Sequence, residues 1–158
     1  MTGSREHGLL DLNELQKRTD DVTSKYHEMS DEIKSAEARL KEITELKTQI
    51  INFAKTREVY AAYRKSGYSK DFLTGHETEI LLHKVAKKSF DELNLQKLPT
   101  IKSLNDEFTE LVAEKKNLYH EYISVRDEMR ELLIHKSNVE KILGTGESTN
   151  EKKTEHER

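Results

Sequence analysis

Apolar side chains recur along two long stretches of the chain at alternating steps of three and four residues. The first stretch covers residues 12–57 and begins at Leu12, and the second covers residues 101–143 and begins at Ile101. This spacing is the a/d pattern of a coiled coil, in which each helix buries one apolar stripe against a partner. The pattern predicts two long amphipathic helices with a different kind of segment between them.

Local signals indicate where the first helix begins and ends. Asp11, followed by Glu14, resembles a capping box and predicts a helix start. The helix is expected to run to about Arg64, because Gly67 permits the turn that follows. Residues 1–10 are predicted to be a flexible terminus, and residues 11–64 a first coiled-coil arm.

The second arm has its own boundary signals. Thr100 is a candidate N-cap, and Gly144 predicts the end of the helix. These signals assign residues 100–143 to the second arm and residues 65–99 to an insertion at the tip. Residues 144–158 lack large apolar side chains and are predicted to be a disordered tail.

Two apolar stripes in one chain favour an antiparallel hairpin, because each stripe then buries the other. The predicted fold class is therefore all-α, a long antiparallel coiled-coil hairpin with a small helical knob at its tip. In the expected register Leu12 lies near Leu143, and Ile33 lies near Tyr122 or Val125. The pattern leaves open the alternative that each helix pairs with another molecule.

The insertion is predicted to contain two further helices. Ser69 is a candidate cap for a short helix that Gly75 kinks or ends, and a longer amphipathic helix follows over residues 76–93. At about 100° per residue, its predicted apolar face is Leu81, Leu82, Val85, Ala86, Ser89 and Leu93, with Phe90 at the edge. Its predicted outer face is His76, His83, Lys84, Lys87 and Lys88.

Charge separates the tip from the arms. Residues 55–102 hold ten Lys/Arg and six Asp/Glu, whereas the rest of the chain holds 17 Lys/Arg and 24 Asp/Glu. Basic surfaces bind phosphate, and exposed aromatic rings stack on bases. The predicted DNA-binding residues are Lys55, Arg64, Lys65, Tyr68, Lys70, Lys84, Lys87 and Lys88. The plainer interpretation of any single tyrosine is that it fills the core of the knob.

Patterns that indicate catalysis are missing from the sequence. The chain has no cysteine, no Gly-rich phosphate loop and no closely spaced histidine cluster. His76, Glu79 and His83 share helical spacing, but a zinc site needs further ligands. We therefore predict no catalytic residues, no metal and no cofactor. No apolar run is long enough to span a bilayer, which predicts no membrane insertion and is compatible with a cytoplasmic location.

Several segments resemble the C-terminal region of relaxases, the mobilisation nucleases of conjugative and mobilisable elements in Gram-positive bacteria. They include "EHGLLDLNEL", "AEARLKEI", "KTREVYAAYRKSGYSKDFLTGHETEILLHKVAKKSFDEL", "KLPTIKSLNDEF" and "RDEMRELL", and the resemblance extends over residues 6–143. The middle block is the most specific, because its tyrosine, glycine and basic spacing is not that of a generic coiled coil. The resemblance implies a bacterial cytoplasmic protein of the conjugation machinery, as in conjugative transposons.

Relaxases nick one DNA strand at a transfer origin with an N-terminal nuclease domain that uses a tyrosine and a metal-binding histidine cluster. That domain has no counterpart in this sequence, so the resemblance assigns no catalytic residue here. It implies a helical module that contacts origin DNA, relaxosome accessory or coupling proteins, or the secretion machinery. The competing hypothesis is a purely structural coiled-coil module that pairs with a protein partner or forms a homodimer.

Overall fold

In the computed structural model, residues 2–144 are described, with side chains from Asp11 onward. This part of the chain is all-helical and contains no strand, which confirms the predicted class. Its four helices are α1 (Thr2–Lys65), α2 (Lys70–Gly75), α3 (Glu77–Glu92) and α4 (Ile101–Leu143). Residues 145–158, which hold nearly all of the predicted disordered tail, lie outside the described residues.

The N-terminal boundary of α1 differs from the prediction. The helix begins at Thr2 rather than at Asp11, so the backbone of residues 2–10, predicted to be flexible, is helical. Once a helix is nucleated, each added residue gains a backbone hydrogen bond at little further cost, so a helix extends readily beyond its packed part. The capping signal at Asp11 therefore does not act as a start in the folded chain.

The structure divides into two compact units, and each contains a part of α1 and a part of α4. The first unit comprises residues 2–34 and 116–144 of the described chain, and the second is Ser35–Lys115. Helices α2 and α3 belong to the second unit. The boundaries of the predicted arms and tip do not coincide with this division.

In the first unit, α1 and α4 are antiparallel. The Tyr26 hydroxyl lies 2.8 Å from the Tyr122 hydroxyl, and Arg18 pairs with Glu128 at 3.6 Å. The partner of Tyr122 is thus Tyr26 and not Ile33, and the register differs from the predicted one by one heptad. A shift of seven residues returns each a or d position to another a or d position, so heptad spacing alone does not choose between the two.

In the second unit, three helices share one core. Ile43 and Leu46 of α1, Ala86 and Phe90 of α3 and Leu104 of α4 are all buried in it. The apolar area that these residues remove from water is the main stabilising contribution. The partly buried side chains around them are Ile50, Phe53, Leu95, Leu98, Phe108 and Leu111.

Polar contacts run along the α1–α4 pair of the second unit. Arg39 Nε donates to Glu107 at 2.6 Å, and Lys47 Nζ donates to Asn105 at 2.7 Å. The hydrogen bond from Arg39 holds the pKa of Glu107 below its usual value. These pairs also run antiparallel. That α1 and α4 form one continuous coiled-coil hairpin across both units stays a prediction.

The predicted helix caps at the tip and at the start of α4 are present. Ser69 Oγ accepts from the Phe72 N–H at 3.4 Å, and Thr100 Oγ1 accepts from the Ser103 N–H at 3.0 Å. Each contact satisfies a backbone donor that has no partner inside its helix. At the other end, α4 stops immediately before Gly144, as predicted.

Candidate functional site

The turn between α1 and α2 holds Tyr68 in a fixed and exposed position. Gly67 has φ 73° and Tyr68 has φ 60°, so both lie in the left-handed region. The Gly67 N–H donates to the Arg64 carbonyl at 3.0 Å and the Tyr68 N–H to the Tyr63 carbonyl at 3.1 Å. This is a Schellman motif with Gly67 at the position that glycine favours. It leaves the Tyr68 side chain 57% exposed.

The Tyr68 ring has one aromatic neighbour among the described residues. The ring of Tyr63 meets it edge to face, with centroids 5.2 Å apart and an interplanar angle of 86°. Tyr63 itself is buried, and it also stacks on Phe72 of α2 with centroids 6.1 Å apart. The supporting ring is therefore anchored in the fold while the outer part of Tyr68 faces solvent.

Imidazole and phenyl rings connect α1 with α3 beneath this turn. His83 of α3 is stacked between Phe53 and Tyr60 of α1, with centroids 4.5 Å and 4.2 Å away. Phe53 also meets Phe90 edge to face at 5.4 Å. These contacts fix the position of α3 along α1, since shifting the helix would separate the stacked rings.

His83 is buried, and its surroundings disfavour the charged imidazolium. Thr56 Oγ1 donates to the Asn52 carbonyl at 2.7 Å, so it accepts the proton of His83 Nδ1 at 2.9 Å. Burial, followed by the positive charges of Lys87 and Arg57, holds the pKa of His83 below its usual 6.5. Both effects favour the neutral imidazole, whose Nδ1–H then donates to Thr56.

The position of His83 overturns the predicted faces of α3. The buried face is Ile80, His83, Ala86 and Phe90, whereas Leu81, Leu82, Val85 and Leu93 are exposed. Of the predicted apolar face, Ala86 is buried and Ser89 half-buried, and Phe90 lies inside the buried face rather than at its edge. The prediction failed because His83 was counted as polar, although a neutral, hydrogen-bonded imidazole packs like any aromatic ring.

The three predicted lysines of α3 lie together on an exposed side of the helix. Lys84, Lys87 and Lys88 are spaced by three and four residues, so they share one face. Lys84 Nζ lies over the Tyr63 ring, 5.9 Å from its centroid. Lys87 borders the buried face, where its charge acts on His83. This side of α3 is therefore basic and adjoins the rings under Tyr68.

The other predicted cations near the turn lie at the end of α1 and at the start of α2. Arg64 and Lys65 form the last turn of α1, and Lys70 is the first residue of α2. All three are exposed, and they flank Tyr68 along the chain. Cations in the last turn of a helix also interact favourably with its negative end.

One of the predicted DNA-binding cations, Lys55, lies away from the others, and another cation, Arg57, was not predicted from the sequence. Lys55 and Arg64 are nine residues apart on the continuous helix α1, which places them on opposite sides of it. Arg57 lies two turns before Arg64 on the same side, and its charge reaches His83. The signal that could have identified Arg57 is its seven-residue spacing from Arg64.

None of the seven predicted cations lies within ion-pair distance of a carboxylate among residues 11–144. The ion pairs that do form involve other residues, such as Arg39 with Glu107 and Lys115 with Glu37. With Lys55 left out and Arg57 added, the basic set is Arg57, Arg64, Lys65, Lys70, Lys84, Lys87 and Lys88, here named the basic side.

His76, the residue before α3, and His83 within it do not converge. His76 Nδ1 lies 3.1 Å from the Phe72 carbonyl and its ring stacks on Phe72, whereas His83 is turned into the core. Within the described residues, no three His, Asp or Glu side chains form a group that could hold a metal ion. Across the same stretch, every helix is too polar or too short in its apolar runs to cross a bilayer.

Comparison with known proteins finds no relative of this chain. No protein-family model, no curated protein and no solved structure matches it.

Proposed function

We propose that this chain is a non-catalytic helical module that contacts nucleic acid through the basic side. The observation that carries the proposal is a group of exposed cations without carboxylate partners, next to a held and exposed tyrosine ring. Cations that are not neutralised within the protein attract a polyanion, and nucleic-acid phosphates release their counterions when such cations bind them. The rest of the chain is net acidic and would repel the same ligand.

The finer form of the proposal comes from the sequence resemblance. Placed behind a relaxase nuclease domain in the bacterial cytoplasm, such a module contacts DNA at a transfer origin together with relaxosome accessory or coupling proteins. In this form α1 and α4 make a coiled-coil hairpin with α2 and α3 at its tip. The hairpin then holds the basic side away from the acidic arms.

Binding measured over a salt series tests the nucleic-acid contact. The parent protein is titrated into labelled duplex and single-stranded DNA, and the logarithm of the binding constant is plotted against the logarithm of the salt concentration. Replacing Lys84, Lys87 and Lys88 together by Ala should weaken binding to duplex and reduce this slope by about two to three units, if each lysine neutralises one phosphate. Helicity should stay unchanged, because Ala is a strong helix former.

The matched control replaces Lys17, Lys25 and Lys34 by Ala. These lysines are exposed on α1 in the first unit, and the change in net charge is the same. The control should keep the slope of the parent. If both triple variants lose affinity equally, only net charge matters and the proposed surface is wrong. Binding by the parent that ignores salt would exclude nucleic-acid contact through these lysines.

A second function, structural pairing with another copy of the chain, is favoured by a different observation. Near its C-terminal end α4 exposes Leu133, Ile134 and Ile142, the last of them 81% exposed. Exposed apolar side chains on a long helix are covered when coiled coils associate. Sedimentation across a concentration series separates the two functions, since a stable dimer without salt-dependent DNA binding would favour pairing.

A further inference from the structure

Helix α3 presents three different sides. One is buried and consists of Ile80, His83, Ala86 and Phe90. The second carries Lys84, Lys87 and Lys88 and belongs to the basic side. The third consists of Leu81, Leu82, Val85 and Leu93, which we name the apolar stripe. A helix packed on a single core needs only one apolar side, and the apolar stripe lies outside the buried one.

The apolar stripe is partly open to solvent along its length, most of all at Leu81. Leu81 is 62% exposed, Val85 43%, and Leu82 and Leu93 37% and 38%. Leu82, Val85 and Leu93 project from one face in steps of three and eight residues, and Leu81 lies one turn before Val85. This spacing matches the anchors that one helix offers to another lying along it.

A surface groove continues the apolar stripe at its Leu93 end. The groove measures about 560 Å³ and lies between α1 and α3 in the second unit. Its lining is mixed: Leu46 of α1 and Leu93 of α3 are the large apolar side chains, and Glu42, Glu45 and Glu92 border it as well. An apolar side chain of a partner that lies on the stripe can enter this groove beside Leu93, where it would be removed from water.

We propose that the apolar stripe is the docking site for an amphipathic helix of another protein, and that this helix carries acidic residues along one edge. Lys84 and Lys88 border the stripe level with Leu81 and Val85, and neither has a carboxylate partner among the described side chains. Cations on the edge of an apolar seam select a partner with carboxylates at the matching positions. The partner's apolar residues cover the stripe while its Asp and Glu pair with these lysines.

Charge disfavours a second copy of α3 as the occupant. A symmetric contact between two copies has a two-fold axis, which would cross the stripe near its middle. Lys88 lies close to that point and would approach Lys88 of the other copy. Like charges held face to face across an interface oppose association. An acidic partner meets no such repulsion.

Charge also disfavours a lipid surface. An interfacial helix has basic residues on its polar face and few acidic ones, since anionic headgroups repel carboxylates. Helix α3 carries Glu77, Glu79, Asp91 and Glu92 as well as its lysines, and the exposed Glu92 lies beside Leu93. A protein helix can place a matching charge opposite each lysine and each carboxylate of this mixed pattern. An anionic lipid surface carries only one sign of charge and cannot.

This docking site does not depend on the proposed nucleic-acid contact. Leu81 and Val85 are required for docking, and neither belongs to the basic side. A variant with both changed to Gln removes the apolar anchors and keeps every lysine. Both residues are exposed and Gln is a good helix former, so the variant should fold like the parent. Its DNA binding should equal that of the parent, so the two proposals fail separately.

Selection from a displayed library of random helical peptides tests the docking site. Peptides are selected on the parent protein and counter-selected on the Leu81→Gln/Val85→Gln variant. The enriched peptides should carry apolar residues at helical spacing and an excess of Asp and Glu on one edge. Their affinity for the variant should be at least about tenfold lower, because two central anchors are lost. Enriched peptides that are basic, or that bind the variant equally well, would overturn the proposal.

Three controls exclude the other occupants. Val112→Gln changes an exposed apolar residue of α4 in the same unit, and it should leave peptide binding unchanged. Sedimentation of the parent and the double variant tests for a second copy, and a dimer that the double change dissociates would contradict the proposal. Vesicles of anionic lipid test for a membrane, and flotation of the parent lost in the double variant would contradict it as well.

Discussion

The Tyr26 hydroxyl is hydrogen bonded to the Tyr122 hydroxyl at 2.8 Å, and the two rings stack with centroids 4.9 Å apart. The bond raises the pKa of Tyr122 above its usual 10.0. Two groups on different helices, 96 positions apart, are thereby held in one place. The contact therefore identifies the register of α1 against α4 in the first unit.

Cross-linking can distinguish this register from the one that the heptads alone suggested. In the alternative, Tyr26 would face Met129, which lies about 10 Å further along α4. The chain has no cysteine, so introduced pairs are unique. A short thiol cross-linker should join the Tyr26→Cys/Tyr122→Cys pair efficiently and the Tyr26→Cys/Met129→Cys pair poorly. The opposite preference would show that α1 and α4 are shifted by a heptad.

His83 should make stability depend on pH. Its pKa is lowered in the folded protein, first by burial and then by Lys87 and Arg57. Between that lowered value and 6.5 the unfolded chain binds a proton that the folded chain does not. The contribution is therefore complete above pH 6.5 and is lost as the pH falls below it. Thermal unfolding followed by circular dichroism from about pH 7.5 to pH 5 should show a declining melting temperature.

His83→Phe keeps a ring between Phe53 and Tyr60 but cannot be protonated. Whatever its stability near neutral pH, this variant should have a shallower pH dependence than the parent. His120 is exposed on α4, so His120→Gln serves as the control and should retain the parental slope. Equal slopes for the parent and His83→Phe would mean that protonation of His83 does not contribute to the pH dependence of stability.

Two glycines should respond in opposite directions to alanine. Gly67 has φ 73°, and a Cβ built there meets nothing within 4 Å, so the cost of Gly67→Ala comes from the backbone alone. That cost should be about 1–2 kcal/mol. Gly75 has equally open surroundings without a positive φ, so Gly75→Ala should stabilise the protein by about 0.4–1 kcal/mol.

Chemical denaturation of both variants gives their free energies of unfolding. Gly67 precedes α2 and Gly75 is its last residue, and the pair differs mainly in backbone conformation. Destabilisation by both substitutions would indicate a side-chain clash, contrary to the open space around each position.

Tyr68→Ala tests the exposed ring as a stacking platform for bases. Single-stranded DNA offers free base faces, whereas a duplex does not, so single-strand binding should weaken by about 1–3 kcal/mol and duplex binding by much less. Fluorescence anisotropy with matched oligonucleotides measures both. Tyr119 is similarly exposed at 50% but lies in the first unit, which makes Tyr119→Ala the control. Equal losses on single strand and duplex would rule out stacking.

Local signals predicted the helices of this protein well. Ser69 and Thr100 cap the helices that they were expected to cap, and Gly67 provides the expected turn. Such signals act between residues close in sequence, so the sequence is enough to identify them. The start of α1 was missed because helix extension beyond Asp11 needs no signal of its own.

Features that depend on residues far apart in the sequence were harder to predict. The register set by Tyr26 and Tyr122 differs from its alternative by one heptad, and both registers bury the same kinds of residue. The buried face of α3 depends on His83, whose burial requires Phe53, Tyr60 and Thr56 to surround it. The sequence did not identify Arg57 for a similar reason. Arg57 comes close to His83 only after α3 has packed on α1.

With six tyrosines and no tryptophan, the intrinsic fluorescence of the protein comes from its tyrosines. Tyr26, Tyr119 and Tyr122 lie within 6.0 Å of a neighbouring ring in the first unit, and Tyr60, Tyr63 and Tyr68 within 5.9 Å in the second. Changing one trio to phenylalanine silences its ultraviolet emission and leaves the other as the only fluorophores. Tyrosine fluorescence can then follow the melting of either half of the molecule without any attached dye.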